Sequence, residues 1–337
     1  MLFRSGGCGC LSLSLRNRIL LPTLGVVLTA TVVIAAITHT LASKAITDLS
    51  LGSMQNLCAS SVEKIEIWID GHRQTLATLA LQPSTARCLA GADATRESRT
   101  ALSRTLLQTA TAAGCYEGIH LIDTAGVVRA SSNADSIDTL NLADRQYFRD
   151  AMTGRSVVSD VLASRITGNP ILVLAVPVNL DAEPAGVLIS VLDLKWFSSR
   201  FISPIKVLQT GYVFVHDAAG VLIAHPETER LLKTRITDHP WGQHMVANPR
   251  GSLHFDHEGT MRTAVFQKSE ALKWGVVATV PEHEEQAAVT RLARISVATA
   301  LLAVLAAALV SFLVARGLAR PIRLIATSLV SASEHTS

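Results

Sequence analysis

The sequence predicts an α+β fold: a long helix followed by two tandem antiparallel-sheet modules, the whole set between two membrane-spanning helices. Three observations carry this. Two runs free of Lys, Arg, Asp and Glu, 19–41 and 295–315, bracket a segment of ordinary globular composition. Apolar residues recur at helical spacing over 42–82. A strand–turn–strand signature then appears twice, about 93 residues apart.

Each uncharged run is long enough to cross a bilayer core as one helix, which takes ~20 apolar residues. Arg4, Arg16 and Arg18 precede the first run with no acidic residue among them. Arg316, Arg320 and Arg323 follow the second, with no acidic residue until Glu334. Positive charge accumulates on the cytoplasmic side. Residues 1–18 and 316–337 are therefore expected in the cytoplasm and 42–294 outside. A cleaved signal peptide is the competing reading of the first run. That run exceeds the about 7–15 apolar residues of a signal peptide, although Leu41-Ala42-Ser43 offers a small-residue cleavage site.

Hydrophobic residues make up 49% of the chain and the mean hydropathy is +0.34, values that the two spans largely explain. The net charge of +3 is small and gathers near the spans, so topology and lipid contact account for it and a nucleic-acid partner is not expected. All four Trp and all three Tyr lie between the spans, where a core or a pocket would use them. Of the five Cys, Cys8 and Cys10 precede the first span and should be reduced thiols. Cys8-Gly9-Cys10 alone cannot supply the four ligands of a zinc site. Cys58, Cys88 and Cys115 lie outside, where disulfides persist. A Cys88–Cys115 bridge is the preferred pairing, and three small buried thiols are the alternative.

Within the external segment, Ile46, Leu49, Met54, Leu57, Val62 and Ile65 begin a stripe that continues to Leu79, and no Pro intervenes before Pro83. Gly52 and Gly71 weaken this helix without breaking it. At ~1.5 Å rise per residue it would carry the chain to the far end of the domain. A shorter helix is expected over 93–112. The distal module then covers 83–204 and the proximal module 205–284. Each opens on a strand pair joined by a turn, Asp123-Thr-Ala-Gly126 in the first and Asp217-Ala-Ala-Gly220 in the second. Asp supplies local hydrogen bonds and Gly the positive φ that such turns require. Each copy later adds further strands: 170–178 and 186–194 in the first, 251–257, 261–267 and 274–280 in the second. A duplicated antiparallel α+β module follows.

At this level of detail the chain resembles the double Cache sensor domain, which joins a long external helix to two PAS-like modules between two membrane helices. The resemblance rests on Asp144-Arg-Gln-Tyr-Phe-Arg-Asp-Ala-Met-Thr-Gly154, Val158-Ser-Asp160 and Ser164-Arg-Ile-Thr-Gly-Asn-Pro170. Ala175-Val-Pro-Val178, Gly186-Val-Leu-Ile-Ser-Val-Leu-Asp193 and Ile223-Ala-His-Pro226 continue it. It covers 57–280. Ala319-Arg320-Pro321-Ile322 is similar to the start of a HAMP linker, and 328–337 to the start of a chemoreceptor signalling helix. The resemblance implies a sensory module of a methyl-accepting chemotaxis protein in the inner membrane of a bacterium, with its sensor in the periplasm and no catalysis of its own. CheA/CheW-type proteins would be its downstream partners. The alternative is the sensor half of a histidine kinase or diguanylate cyclase whose catalytic domain lies beyond this chain. Thr299, Ala303, Ala307 and Ser311, four apart on one face of the second span, suit close helix packing in a homodimer.

The resemblance also places a small-molecule site in the distal module, with Arg145, Tyr147, Phe148, Asp160, Ser164 and Asp193 as candidate ligand-binding residues. Arg145 would face the pocket, where its planar fork suits a carboxylate. Tyr147 and Phe148 would wall it. Asp193 matches the aspartate that holds the amine in amino-acid-sensing members, and a strand-end cap is its structural alternative. The chain departs from those members at Leu140, Leu162 and Ser164, where they carry Tyr, Tyr and Asp. Lost amine acceptors favour a small carboxylate with an apolar tail at least as well. Arg165 could add a second cation. His216, His225, His239, His244, His254 and His257 gather in the proximal module. His254 and Asp256 could share a strand face while His257 takes the other, which closes no four-ligand metal site. No nucleophile–base arrangement or phosphate-binding loop stands out, so no cofactor is expected.

Overall fold

The helix expected over 42–82 is the second half of one long helix, α1, Leu15–Ala80, which ends two residues earlier than expected. The computed structural model describes residues 15–90, 95–181 and 183–334. Arg4, Cys8, Cys10, Asp93 and Ala182 lie outside these, as do the side chains of Arg316, Arg320 and Arg323. The chain divides into two units. One combines Met1–Leu49 with Glu285–Ser337 and the other is Ser50–Glu284. The first holds parts of two helices, α1 and α7 (Glu282–Glu334), that are long and apolar enough to cross a membrane. Their most apolar stretches have mean hydropathies of 1.9 and 2.2, with none of those residues buried.

In the second unit, α1 presents Met54, Cys58, Val62, Ile65, Ile69 and Leu76 along one buried stripe. Short helix α2 covers Pro83–Arg87, and α3 covers Arg96–Ala113. The start of α3 falls beyond the expected residue 93 because Thr95 caps it, its hydroxyl accepting the Ser98 N–H at 3.1 Å. Gly114, at φ 68°, ends it in the left-handed conformation that glycine adopts without strain.

Two six-stranded antiparallel sheets follow. The first comprises β1 (Tyr116–Asp123), β2 (Val128–Ser131), β3 (Val157–Val158), β4 (Leu162–Ala163), β5 (Pro170–Leu180) and β6 (Glu183–Asp193). Its order is β2-β1-β6-β5-β3, with β4 also on β5. Helix α4 (Gln146–Ala151) lies between β2 and β3 in sequence, and α5 (Leu194–Phe197) follows β6. The second sheet comprises β7 (Lys206–Val207), β8 (Gly211–His216), β9 (Leu222–Ala224), β10 (Arg250–His257), β11 (Thr260–Lys268) and β12 (Gly275–Pro281). Its order is β10-β11-β12-β8-β7, with β9 on β8, and α6 (Pro240–Ala247) precedes β10.

Strand period decides where the core goes. On β5, Leu172, Leu174, Val176 and Val178 join the core that includes α1, while Ile171, Val173 and Ala175 face the opposite side with Tyr147 and Phe148. Each fully buried Val or Leu contributes about 1.5–3 kcal/mol on transfer from water. Polar contacts of α1 reach both modules. His72 Nδ1 meets the Tyr116 hydroxyl at 2.5 Å in the distal one. Ser269 Oγ donates to Glu66 Oε1 at 2.5 Å, and Cys58 Sγ donates to the Val265 carbonyl at 3.3 Å, in the proximal one.

The duplication holds at the level of single hydrogen bonds. Asp123 Oδ1 accepts the N–H groups of Ala125 and Val127, and Gly126 follows at φ 82°. Asp217 Oδ1 accepts those of Ala219 and Val221, and Gly220 follows at φ 79°. From Asp123 to Asp217 the offset is 94 residues. It persists beyond the turn: Asp138 and Leu232 are both left-handed, and their N–H groups donate to the carbonyls of Val128 and Leu222. Behind the second sheet's edge, Glu284 in the first turn of α7 accepts the N–H groups of Gln209 and Thr210, at 2.9 and 3.0 Å, and the Thr210 hydroxyl.

The Cys88–Cys115 bridge does not form: Cys58, Cys88 and Cys115 are buried free thiols. Cys88 Sγ donates to the Ser84 carbonyl at 3.2 Å, and Cys115 Sγ sits 3.5 Å from His72 Nε2. Burial pushes the Cys58 thiol up to about 12 and Cys115 up to about 11, so both stay protonated at neutral pH.

Candidate ligand-binding site

The face of the first sheet turned away from α1 carries a cavity of about 370 Å³, counted out to its open mouth. Ile171 on β5 and Ile189 and Val191 on β6 form its floor. Leu140, Leu142 and the start of α4 close one side, and the loop after β4 closes the other.

Arg145 occupies the N-cap of α4. Its N–H donates to the Leu142 carbonyl at 3.0 Å, which fixes where the side chain departs. Arg145 lines the cavity, and its Nε is buried without a hydrogen-bond partner among the described residues. A buried donor left unsatisfied costs about 1–3 kcal/mol, more for a charged group, so this position favours an incoming acceptor. Tyr147, the second residue of α4, lines the cavity beside it. Burial is the main cause that pushes its hydroxyl up to about 12, against the opposing field of Arg145, so the hydroxyl remains a donor.

Glu117 supplies the opposite charge. The register of β1 against β6 slips between Tyr116 and Gly118, which makes Glu117 the extra residue of a β-bulge. The bulge places its carboxylate at the cavity. Ser164 Oγ donates to Glu117 Oε1, and Thr167 Oγ1 donates to Oε2 at 2.7 Å. Ser164 Oγ in turn accepts the N–H groups of Ile166 and Thr167, at 3.0 and 3.2 Å. Arg165 stands at the rim, donating to the Asn141 carbonyl at 3.0 Å and to Asp144 Oδ2. That hydrogen bond holds the Asp144 carboxyl below its usual range. His120, also at the cavity, is 2% exposed and hydrogen-bonded to Ser131 at 2.8 Å. Burial lowers its pKa from 6.5 to about 4.

Arg145, Tyr147 and Ser164 are thus brought together in one cavity. Phe148 packs into the apolar cluster with Val173 and Ala175 and does not line it. Asp160 is exposed in a neighbouring cleft that Arg145 and Tyr147 also border. Asp193 lies outside the cavity. Its Oδ1 accepts the N–H groups of Lys195 and Trp196, at 2.7 and 3.2 Å, and so caps α5. The carboxylate that lines the cavity is that of Glu117. In the proximal module, His254 Nδ1 pairs with Glu282 at 2.8 Å, and no three His, Cys, Asp or Glu side chains converge as metal ligands among the described residues.

Comparison with known proteins agrees with this architecture. The dCache_1 family model, described as a Cache domain, matches residues 42–289. Sporulation kinase D of Bacillus subtilis (strain 168) is 28% identical over 145 residues, which cover 40% of this chain and 27% of the kinase. The ligand-binding domain of the Campylobacter jejuni chemoreceptor Tlp3, solved with 4-methylisoleucine, is similar with a TM-score of 0.57 at 13% identity. That match covers 71% of this chain and 94% of that domain. The ligand-binding domain of the Pseudomonas fluorescens chemoreceptor CtaA, solved with L-serine, gives a TM-score of 0.55 at 16% identity. It covers 70% of this chain and 99% of that domain. The chain belongs to the Cache domain family, a class of non-catalytic small-molecule sensing modules found in chemoreceptors and histidine kinases.

Proposed function

We propose that this chain is the sensory part of a bacterial transmembrane chemoreceptor, and that its distal module binds a small carboxylate, best matched by an α-amino acid with an apolar side chain. The observation that carries the reading is the buried, unpartnered Nε of Arg145 at the cavity wall. It offers a charge-assisted bond to a carboxylate. Glu117 in the same cavity offers an acceptor to an ammonium group, and Ile171, Ile189 and Val191 offer an apolar floor. The sensor would stand in the periplasm with α1 and α7 crossing the inner membrane. The spacing of Thr299, Ala303 and Ala307 supports a homodimer packed along α7, and CheA/CheW-type proteins would receive the signal. A histidine kinase sensor is the second reading, supported by the sequence match to a sporulation kinase.

The test is thermal unfolding of the full chain in detergent, followed by Trp fluorescence, against L-amino acids, mono- and dicarboxylates, amines and purines. A ligand that binds the folded state raises the melting temperature. An apolar L-amino acid is expected to do so, and Arg145→Gln should abolish the shift. Glu117→Gln should weaken amino acids while sparing the matching carboxylates that lack an amine. An undiminished shift in Arg145→Gln would reject the site.

A further inference from the structure

The proximal module repeats the distal cavity at the same place in its frame but builds it from different chemistry. At the 94-residue offset, His120 is replaced by Phe214, Leu142 by Ile236 and Tyr147 by Trp241. All three replacements line a cavity of about 350 Å³, counted to its open mouth. Its walls are rings. Trp241 and Phe255 have centroids 4.5 Å apart, Tyr212 meets His225 edge-on at 5.1 Å, and His239 stacks behind Trp241 at 5.2 Å and 7°.

The charged group that lines this cavity is a cation. Among the described residues no Asp or Glu lines it, whereas Arg230, His225, His257 and Thr234 do. Arg230 is braced by two carboxylates outside the lining, Glu227 at 2.7 Å and Glu258 at 3.6 Å. His225 is 4% exposed, and its Nδ1 accepts the backbone N–H of Glu227 at 2.9 Å. Burial lowers the pKa of His225, so the ring is neutral at pH 7. A backbone amide can only donate, so the proton of this neutral ring sits on Nε2. That N–H has no hydrogen-bond acceptor among the described residues.

We propose that this cavity is a second ligand site, taking a small aromatic carboxylate of the benzoate type. The ring of the ligand would lie among Trp241, Phe255 and Tyr212, where offset and edge-on contacts are favourable. Its carboxylate would receive hydrogen bonds from Arg230 and from His225 Nε2. This assignment stands independently of the distal site.

The experiment is isothermal titration of benzoate into the full chain in detergent, with Trp fluorescence read in parallel. One saturable site per chain is expected. Arg230→Gln, at a half-exposed position, should weaken it at least about tenfold, the loss expected for a hydrogen bond to a charged group. Arg145→Gln should leave it unchanged. Trp241→Phe keeps a ring in the wall, so calorimetric binding should persist while the fluorescence change disappears. Absence of saturable binding would overturn the proposal. So would loss of binding in Arg145→Gln with retention in Arg230→Gln, or a fluorescence response that survives Trp241→Phe.

Discussion

Asp123 and Asp217 do the same work in the distal and proximal modules, whereas His120 and Phe214, three residues earlier on the same strands, do not. The aspartates each collect two backbone N–H groups and set an identical turn. His120 makes a buried polar pair with Ser131, and at the equivalent positions Phe214 and His225 approach as rings, 6.3 Å apart. The frame is therefore fixed by backbone chemistry that both copies retain. The contents of the cavity are set by side chains that point off it and are free to differ. One copy has become a charged cavity containing Arg145 and Glu117, the other an aromatic one containing Trp241 and Phe255.

If the frame is shared, its glycines should be needed in both modules, but not equally. A Cβ at Gly126 would meet the Ala143 backbone N at 2.5 Å, whereas at Gly220 the nearest atom is the Thr237 Cγ2 at 2.7 Å, on a side chain that can move. Both glycines have φ near 80°. Gly126→Ala should cost about 3–4 kcal/mol and Gly220→Ala about 2 kcal/mol, from left-handed strain plus overpacking. Urea unfolding of the two variants measures this, and equal losses would break the ranking.

The cavity contents should separate the modules by pH. His120 takes a proton in the unfolded chain near pH 6.5 but in the folded chain only near pH 4. Between those values the unfolded state binds more protons, so stability falls as pH falls, by a total of about 3 kcal/mol at pH 4. Above pH 6.5 the effect vanishes. His120→Phe installs the proximal residue in the distal module and should flatten this part of the stability–pH curve. An unchanged acid slope in the variant would assign the slope to other groups.

The smallest effect concerns an ion pair that only one module has. Arg129 bridges Asp123 at 2.6 Å and Asp138 at 2.7 Å, but its side chain is 31% exposed. The proximal module forms the same left-handed turn with Leu232 in place of Asp138 and buried Ile223 in place of Arg129. Arg129→Gln should accordingly lower stability by no more than about 1 kcal/mol in thermal unfolding. A larger loss would show that the distal frame depends on its charges.

Features that repeat a local rule were readable in the sequence. The Asp–Gly turns, the stripe on α1 and the lining positions Arg145 and Tyr147 all follow from spacing, turn chemistry or resemblance. Glu117 was not readable, because β1 is buried on both faces and shows no alternation, and because a bulge re-aims the residue. Asp193 stood between two roles, since a strand-end aspartate before a helix can hold a ligand or cap the helix, and spacing does not show that the Lys195 and Trp196 amides reach its Oδ1. The cysteine pairing failed on geometry that no spacing encodes, since each thiol is buried against a different partner. The proximal cavity was hidden among histidines to which spacing assigned no role, whose rings pack against Trp241, Phe255 and Tyr212.

The carboxylate of Glu284 grips the turn between β7 and β8 through three donors, two of them backbone amides. The first turn of α7 is thereby tied to the turn that leads into β8. The chain enters its second apolar helix from a root that is already anchored to the proximal module.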